Sequence, residues 1–579
     1  MMKILFNHKL AIIIAVLIGI IMAFPQAYFR WDNKDAYQGI DLNLGGNDEL
    51  FYFNRIQEVR DGHYSLANTV WLEGKDMPYL QSPLPEIVSG LWGKIFGLNL
   101  YNGILFQRLI FPIFIFLFIY VLIYSLFKKR KIALSVSATI LLSINLADLL
   151  SLWNLIFKQE TSTWFLSFSH IVSPQNHLLF FFGFLMFFQL FLDKKKLIYG
   201  VLSSIILGLS FYTYPYTWTF LYSFLGLLTL ISFFRKSWIN VRDIILIGLG
   251  GVIIAIPFFW NLFQAMQNPM YQEMSLRFGM IKTHLPQIGS TVVIILALFL
   301  LFFPRSDKKA YDFFLALVFT PFIVLNQQII TGQLMIPDHY HWYFHKPLAL
   351  ALIIVILFSQ IDKRIKNCSL KNNFTLILCI LILAVNFYNA ILTQVNSYNI
   401  REESNVWNQR YGPVFQWLNN NTQKDEVVMT SNHMAHLLII YTSLNSATAV
   451  GSAHYYIASD ENQLWQRMFL TYRFDGLKKE DALNLFLKKK NIIAGEIYGE
   501  YYRKGYGGHE NIPEEKIREI AEAYQESLNI PLEDIFKKYH IKYLIWDTEL
   551  NPDWMINQYD FLEQIHQTGD MRIYEVKSP

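Results

Sequence analysis

Long apolar runs alternate with short polar loops along the first 396 residues. Each run approaches the roughly 20 residues that carry a helix across a bilayer. The pattern predicts eleven spanning helices, near Ala11–Ala27, Leu105–Phe127, Ile132–Leu150, Pro174–Leu192, Leu197–Phe211, Thr217–Phe234, Ile244–Phe263, Gly289–Phe303, Tyr311–Leu325, Pro347–Gln360 and Phe374–Leu392. Every second loop is basic: Lys128–Lys131, Asp193–Lys196, Arg235–Asp243, Pro304–Lys309 and Asp362–Lys371. The loops between them are longer, aromatic and poor in Lys and Arg. Positive loops stay in the cytoplasm. The expectation is a multi-pass integral membrane protein with a cytoplasmic N-terminus and an extracytoplasmic tail. The first run follows Lys3 and Lys9, and Phe24-Pro25-Gln26-Ala27 makes a poor cleavage site, so an uncleaved first helix is expected.

The first outer loop, about Tyr28–Ile104, is too long to lack structure. A helix is expected near Asp48–Asp61, stopping at Gly62. A Pro-rich stretch, Tyr79–Pro85, leads into an amphipathic segment, Ile87–Phe96, suited to lying in the membrane interface. After residue 396 the pattern changes to short mixed elements. Helices are expected at Pro413–Asn420, His436–Thr442, Glu514–Glu526, Ile535–Tyr539 and Phe561–His566. Strands are expected at Glu426–Thr430, Asn491–Glu496, Lys542–Trp546 and Met571–Val576. The fold class is thus a polytopic α-helical membrane protein with an α/β tail. Its boundaries are 1–396 for the transmembrane part and 397–579 for an extracytoplasmic domain with a partly parallel sheet.

Composition agrees. Of 579 residues, 53% are hydrophobic and only 16% charged, against roughly 25% in soluble domains. A net charge of +4 gives no reason to expect nucleic acid. The tail has no Gly-rich phosphate loop, so no nucleotide is expected. The two cysteines, Cys368 and Cys379, lie near or in the last apolar run and make a structural disulfide unexpected. No internal repeat of the kind that builds two-halved transporters is visible.

Candidate chemistry gathers at Gly46-Asn47-Asp48-Glu49-Leu50-Phe51-Tyr52-Phe53-Asn54-Arg55-Ile56. On a helix, Asp48, Tyr52 and Arg55 share a face. Asp48 would sit at the helix start, where free N–H groups and the macrodipole keep a carboxylate ionised. Such a group can take a proton from a hydroxyl or hold a divalent cation; alternatively, Asp48 or Asn47 caps the helix.

Asp48-x-x-x-Tyr52-x-x-Arg55-Ile56, followed by Glu58 and Asp61-Gly62-His63, resembles the first outer loop of GT-C membrane glycosyltransferases. That superfamily includes oligosaccharyltransferases, protein mannosyltransferases and aminoarabinose transferases. The layout is similar across the whole chain. The resemblance implies transfer of a sugar from a polyprenyl-phosphate carrier to an acceptor on the outer face, inverting, with Asp48 as general base and Glu49 beside it. Asp41 is a weaker candidate. Where oligosaccharyltransferases carry a second acidic motif, this chain reads Phe168–His177 without a carboxylate, which leans towards a monosaccharide-phosphate donor. A divalent metal, Mg or Mn, would fall to Asp48, Glu49 and Asp338. A bacterial plasma membrane suits the Lys-, Asn- and Ile-rich style of the chain.

A leaving phosphate needs positive charge nearby. Outer-side candidates are Lys158, His170, Arg277, Lys282, His339, His341, His345 and Lys346; Gln327, with Asn326 and Gln328, could hydrogen-bond sugar or phosphate. Tyr52 and Arg55 complete the substrate-binding set. An interfacial aromatic belt with a snorkelling Lys346 accounts for the same residues. A lipid-linked sugar flippase and a non-catalytic polysaccharide-assembly protein remain the alternative functions. The flippase predicts ionisable groups deep within the spans, and these runs are almost free of them.

Overall fold

The structure is a computed structural model that describes residues 8–161, 165–305, 307–448, 460–505 and 513–577; for residue 47 and residues 498–505 it describes the backbone. The membrane part is helical: α1 (Lys9–Asp32), α2 (Asn47–Asp61), α3 (Leu84–Ile95), α4 (Leu100–Phe127), α5 (Arg130–Leu142), α6 (His177–Lys194), α7 (Leu197–Ser210), α8 (Pro215–Phe234), α9 (Trp238–Ile254), α10 (Ile256–Ala265), α11 (Ser290–Phe302), α12 (Lys308–Val324), α13 (Lys346–Arg364) and α14 (Cys368–Asn408). Each of the predicted apolar runs falls on helix, but the expected count of eleven spans is not reached. Among the described residues, seven helical stretches, those containing α1, α4, α6, α8, α12, α13 and α14, are long and apolar enough to cross a membrane. An eighth is α9 with α10, bent by 49°. Pro257, in the first turn of α10, supplies no N–H to continue the ladder. The runs over α5, α7 and α11 are shorter, at 13, 14 and 13 residues. The run predicted to reach Leu150 breaks at Ser143, whose backbone leaves the helical region.

The basic loops meet at one end of the bundle. Lys128 and Lys309 both reach Asp193, Lys195 pairs with Asp243 at 3.0 Å, Arg235 with Asp312 at 3.0 Å, and Lys129 with Asp362. All five predicted basic loops are therefore neighbours, and α1 carries the chain from this end to the opposite one.

There the first loop and the tail form one packed body. The tail contributes α15 (Gly412–Asn421), α16 (Asn432–Tyr441), α17 (Glu461–Phe474), α18 (Lys479–Lys488), α19 (Lys490–Gly505), α20 (Glu514–Ser527) and α21 (Leu532–Lys538). Its strands are β1 (Val427–Met429), β2 (Asn445–Ser446), β3 (Ile541–Asp547), β4 (Leu562–Thr568) and β5 (Met571–Val576), in spatial order β2-β1-β3-β5-β4. The β1 pairings are parallel and the β3-β5-β4 pairings antiparallel, so the sheet is mixed. Two tail expectations fail. Asn491–Glu496 lies in helix α19, because Ile493, Ala494 and Ile497 bury one face at helical spacing. Phe561–His566 overlaps strand β4, a mostly exposed edge whose alternation is weak. Helix α14 also runs unbroken through the expected boundary at residue 396.

Phe51, Tyr52 and Ile56 of α2 share a core with Ala435, Ile439 and Ile440 of α16. Trp71 donates its indole N–H to the Thr448 carbonyl at 3.3 Å. Arg467 bonds Glu73 at 2.6 Å and lies between the rings of Trp71 and Tyr539. Lys75 bridges Glu58 and Asp425, and His63 adds a contact to Asp425 at 3.1 Å.

Candidate active site

Asp48 and Glu49 are adjacent and live in opposite environments. Glu49 is buried, 1% exposed. Its carboxylate pairs with Arg108 and accepts the N–H groups of Leu44 and Gly45 at 2.9 and 3.0 Å. Arg108 also donates to the Ser169 carbonyl at 3.0 Å. This buried knot fixes the turn before α2 against the turn that carries His170. Asp48, by contrast, has a side chain 68% exposed. The N-cap position of α2 is taken by Gly46, and no side chain caps it, so Asp48 is not the cap.

His170 stands beside Asp48, Nε2 to Oδ2 at 3.5 Å, and is 2% exposed. Burial holds its imidazole below the usual histidine range; Arg108 pushes the same way and Asp48 opposes them. A neutral ring therefore faces the carboxylate at neutral pH. A Cβ on Gly45 would lie 2.9 Å from the ring, so only glycine admits the imidazole here. Tyr52 meets His170 edge-on at 5.5 Å. Burial, with the charge of Asp48 adding to it, raises the Tyr52 phenol and keeps it protonated.

Behind this pair the starts of three membrane helices converge. His177 opens α6 and stacks on Tyr214 at 4.5 Å, one residue before α8. His177 meets Tyr343, in the turn before α13, at 5.2 Å. Tyr214 also bonds His339, which stacks on Tyr216 at 4.8 Å. The far ends of α6, α8 and α13 carry the basic loops. Asp48 thus lies at the end away from them, beside the aromatic cluster of His177, Tyr214 and Tyr343.

The predicted residues divide. Asp48, Tyr52 and His170 come together, and His339 sits in the adjoining ring cluster. Arg55 turns inward: it bonds Glu86 at 2.6 Å and the carbonyls of Leu66 and Gln81. It braces the loop and has no free donor face for a substrate. Lys346 is buried, bonds Asp148 at 2.8 Å and sits over Trp342. Arg277 pairs with Glu273, and Gln327 closes its own turn through Gln333 and Thr331. His345 is buried against Tyr340, and His341 is half-buried beside it. Asp41, the weaker candidate, is held by Arg30 and Tyr37. Of the residues considered for a divalent ion, Glu49 is engaged by Arg108, and no group of three or more His, Cys, Asp or Glu side chains suited to a metal occurs among the described residues.

Arg401, near the outer end of α14, was not a candidate. Its guanidinium lies 3.6 Å from the position of a Cβ on Gly46, and its side chain has no ion-pair partner among the described residues. Its only signal in the sequence is a lone arginine beyond the last apolar run.

Among solved structures, the chain is similar to ArnT from Cupriavidus metallidurans bound to undecaprenyl phosphate, at 11% identity over 76% of this chain and 86% of that one, with a TM-score of 0.40. It is also similar to the apo state of the same protein, at 12% identity over 76% and 84%, with a TM-score of 0.41. No family model and no curated protein matches the chain.

Proposed function

We propose that the protein is a membrane glycosyltransferase that moves a sugar from a polyprenyl-phosphate carrier to an acceptor hydroxyl on the extracytoplasmic face. The observation that carries this reading is the exposed Asp48 carboxylate, held beside a neutral buried His170 at the end of the bundle away from the basic loops. Asp48 takes the acceptor proton as the new bond forms at the sugar carbon, while the bond to the lipid phosphate breaks on the opposite side. Attack opposite to departure inverts the centre. The departing phosphate takes the bonding electrons. Arg401, whose guanidinium lies 3.6 Å from the position of a Cβ on Gly46, supplies the positive charge that offsets it. Glu49 acts through position: with Arg108 it sets the turn from which Asp48 projects. No step requires a metal.

The test uses membrane vesicles containing the full chain, a panel of polyprenyl-phosphate monosaccharides and endogenous acceptors. Asp48→Asn is expected to lower transfer by about 10²–10⁴-fold at unchanged expression, because the side chain is exposed and supports no packing. Transfer at the wild-type rate would remove Asp48 from the chemistry.

A further inference from the structure

A second feature lies between α1 and α14. A groove of about 550 Å³ runs along the half of these helices away from the basic loops. That volume suits a bound small molecule or chain. Ile20, Phe24, Ile391 and Val395 wall it with apolar surface open to the surroundings of the bundle.

Its formation follows from sequence. Pro25 has no N–H, so the carbonyl of Ile21, four residues earlier, loses its helical partner. Gln394 of α14 donates its side-chain amide to that carbonyl at 2.8 Å. The same residue is 4% exposed and lines the groove, and its Oε1 has no hydrogen-bond partner. A buried amide oxygen left unpaired calls for a donor.

The mouth of the groove is acidic. The hydroxyl of Tyr398 lies 2.8 Å from Asp32 and 2.9 Å from Glu402. One hydroxyl has one proton, so it can satisfy only one of the two carboxylates; the Tyr28 hydroxyl adds a long contact to Asp32 at 3.4 Å, and neither hydroxyl brings a charge. Asn33 adds a single long contact to Glu402, at 3.3 Å. Among the described residues no Lys, Arg or His pairs with either acid. Two carboxylates at a membrane boundary without a counter-charge repel a phosphate and attract a cation.

We propose that this groove binds a membrane lipid with a primary-amine headgroup. One acyl chain lies between α1 and α14, and the ammonium sits between Asp32 and Glu402. The apolar walls favour a lipid over a free amine, because they extend about three helical turns below the acid pair. The site is separate from Asp48, and its test does not depend on sugar transfer.

The test is native mass spectrometry of the full chain released from detergent, with added phosphatidylethanolamine, N-acetylated phosphatidylethanolamine or phosphatidylglycerol. The wild-type protein is expected to retain phosphatidylethanolamine at least tenfold better than either of the others. Equal retention of the N-acetylated lipid would overturn the proposal with no mutation involved. Asp32→Asn combined with Glu402→Gln should abolish the preference. Val395→Trp, which keeps both acids, should reduce retention of every lipid. Survival of the preference in the doubly neutralised protein would also overturn the site, as would displacement of the lipid by an equal concentration of soluble ethanolamine.

Discussion

Glu49 and Arg108 form an ion pair in a site from which both are almost wholly excluded from water. Removing one partner of such a pair leaves a buried charge, which costs about 3–5 kcal/mol. Glu49→Gln is therefore expected to lower the thermal midpoint of the detergent-solubilised protein, read by intrinsic fluorescence, far more than Asp48→Asn does. Equal midpoints would mean that the knot contributes nothing to the turn. His170 is tested by His170→Phe, which keeps the ring against Tyr52 and removes the nitrogen facing Asp48. With Asp48 as the proposed base, orienting it is worth less than the base itself, so a loss of roughly tenfold in kcat with an unchanged KM is expected. Asp48 and His170 were legible in the sequence because each is a polar residue in an outer loop next to an apolar run. The fates of Arg55 and Lys346 were not legible. Their partners, Glu86 and Asp148, lie 31 and 198 residues away in sequence, and only the fold brings these pairs together. Arg401 was hidden for the same reason.

Helix α3 turns small and polar residues inward and large apolar ones outward. Ser89, Gly90 and Gly93 face the protein, while Ile95 and Phe96 at its end are exposed. Small residues admit α2 closely, and the large apolar ones are left for the membrane interface. A Cβ on Gly90 would lie 2.6 Å from Val59. Gly90→Val should push α3 off α2, destabilising by about 1–3 kcal/mol. Trypsin cleavage in the first loop, followed by gel, would accelerate; an unchanged cleavage rate would deny the close approach. Element type followed periodicity in α20, which buries one face along its whole length, but not in α19, where the expected strand Asn491–Glu496 spans too few residues to show the helical spacing. It failed where the buried face is nearly absent: β4 exposes most of its residues, and only the turn at Thr568-Gly569-Asp570 signals the hairpin to β5.

At the scale of the molecule, two collars hold the ends. The basic end is tied by ion pairs at the surface, each worth little alone. The other end is held by burial, and there Glu58 bears on pH. Burial raises its carboxyl to about 7, against the pull of Lys75. A carboxyl whose folded value exceeds the unfolded one stabilises the fold fully below about pH 4.5. That contribution is lost as the pH rises through about 7. Glu58→Gln, neutral throughout, should gain on the wild-type protein between those values in thermal unfolding across a pH series. A constant difference between the two would show that folding does not raise the Glu58 carboxyl. The alternation of basic loops was legible from the sequence and agrees with the gathering of those loops at one end. The docking of the tail was not, since it depends on Trp71, Lys75 and Asp425 meeting across some 350 residues.

Helix α14, 41 residues long, spans about 60 Å at 1.5 Å per residue, roughly twice the hydrocarbon thickness of a bilayer. Its inner part sits in lipid. Farther out, Asn405 and Gln409, at and just beyond its end, grip the backbone of residues 38–43. A single residue inserted after Asn396 would turn everything beyond it by about 100° and swing those grips away from their partners. This stretch is a shaft with a fixed phase, so natural variation in chain length has to fall in the loops.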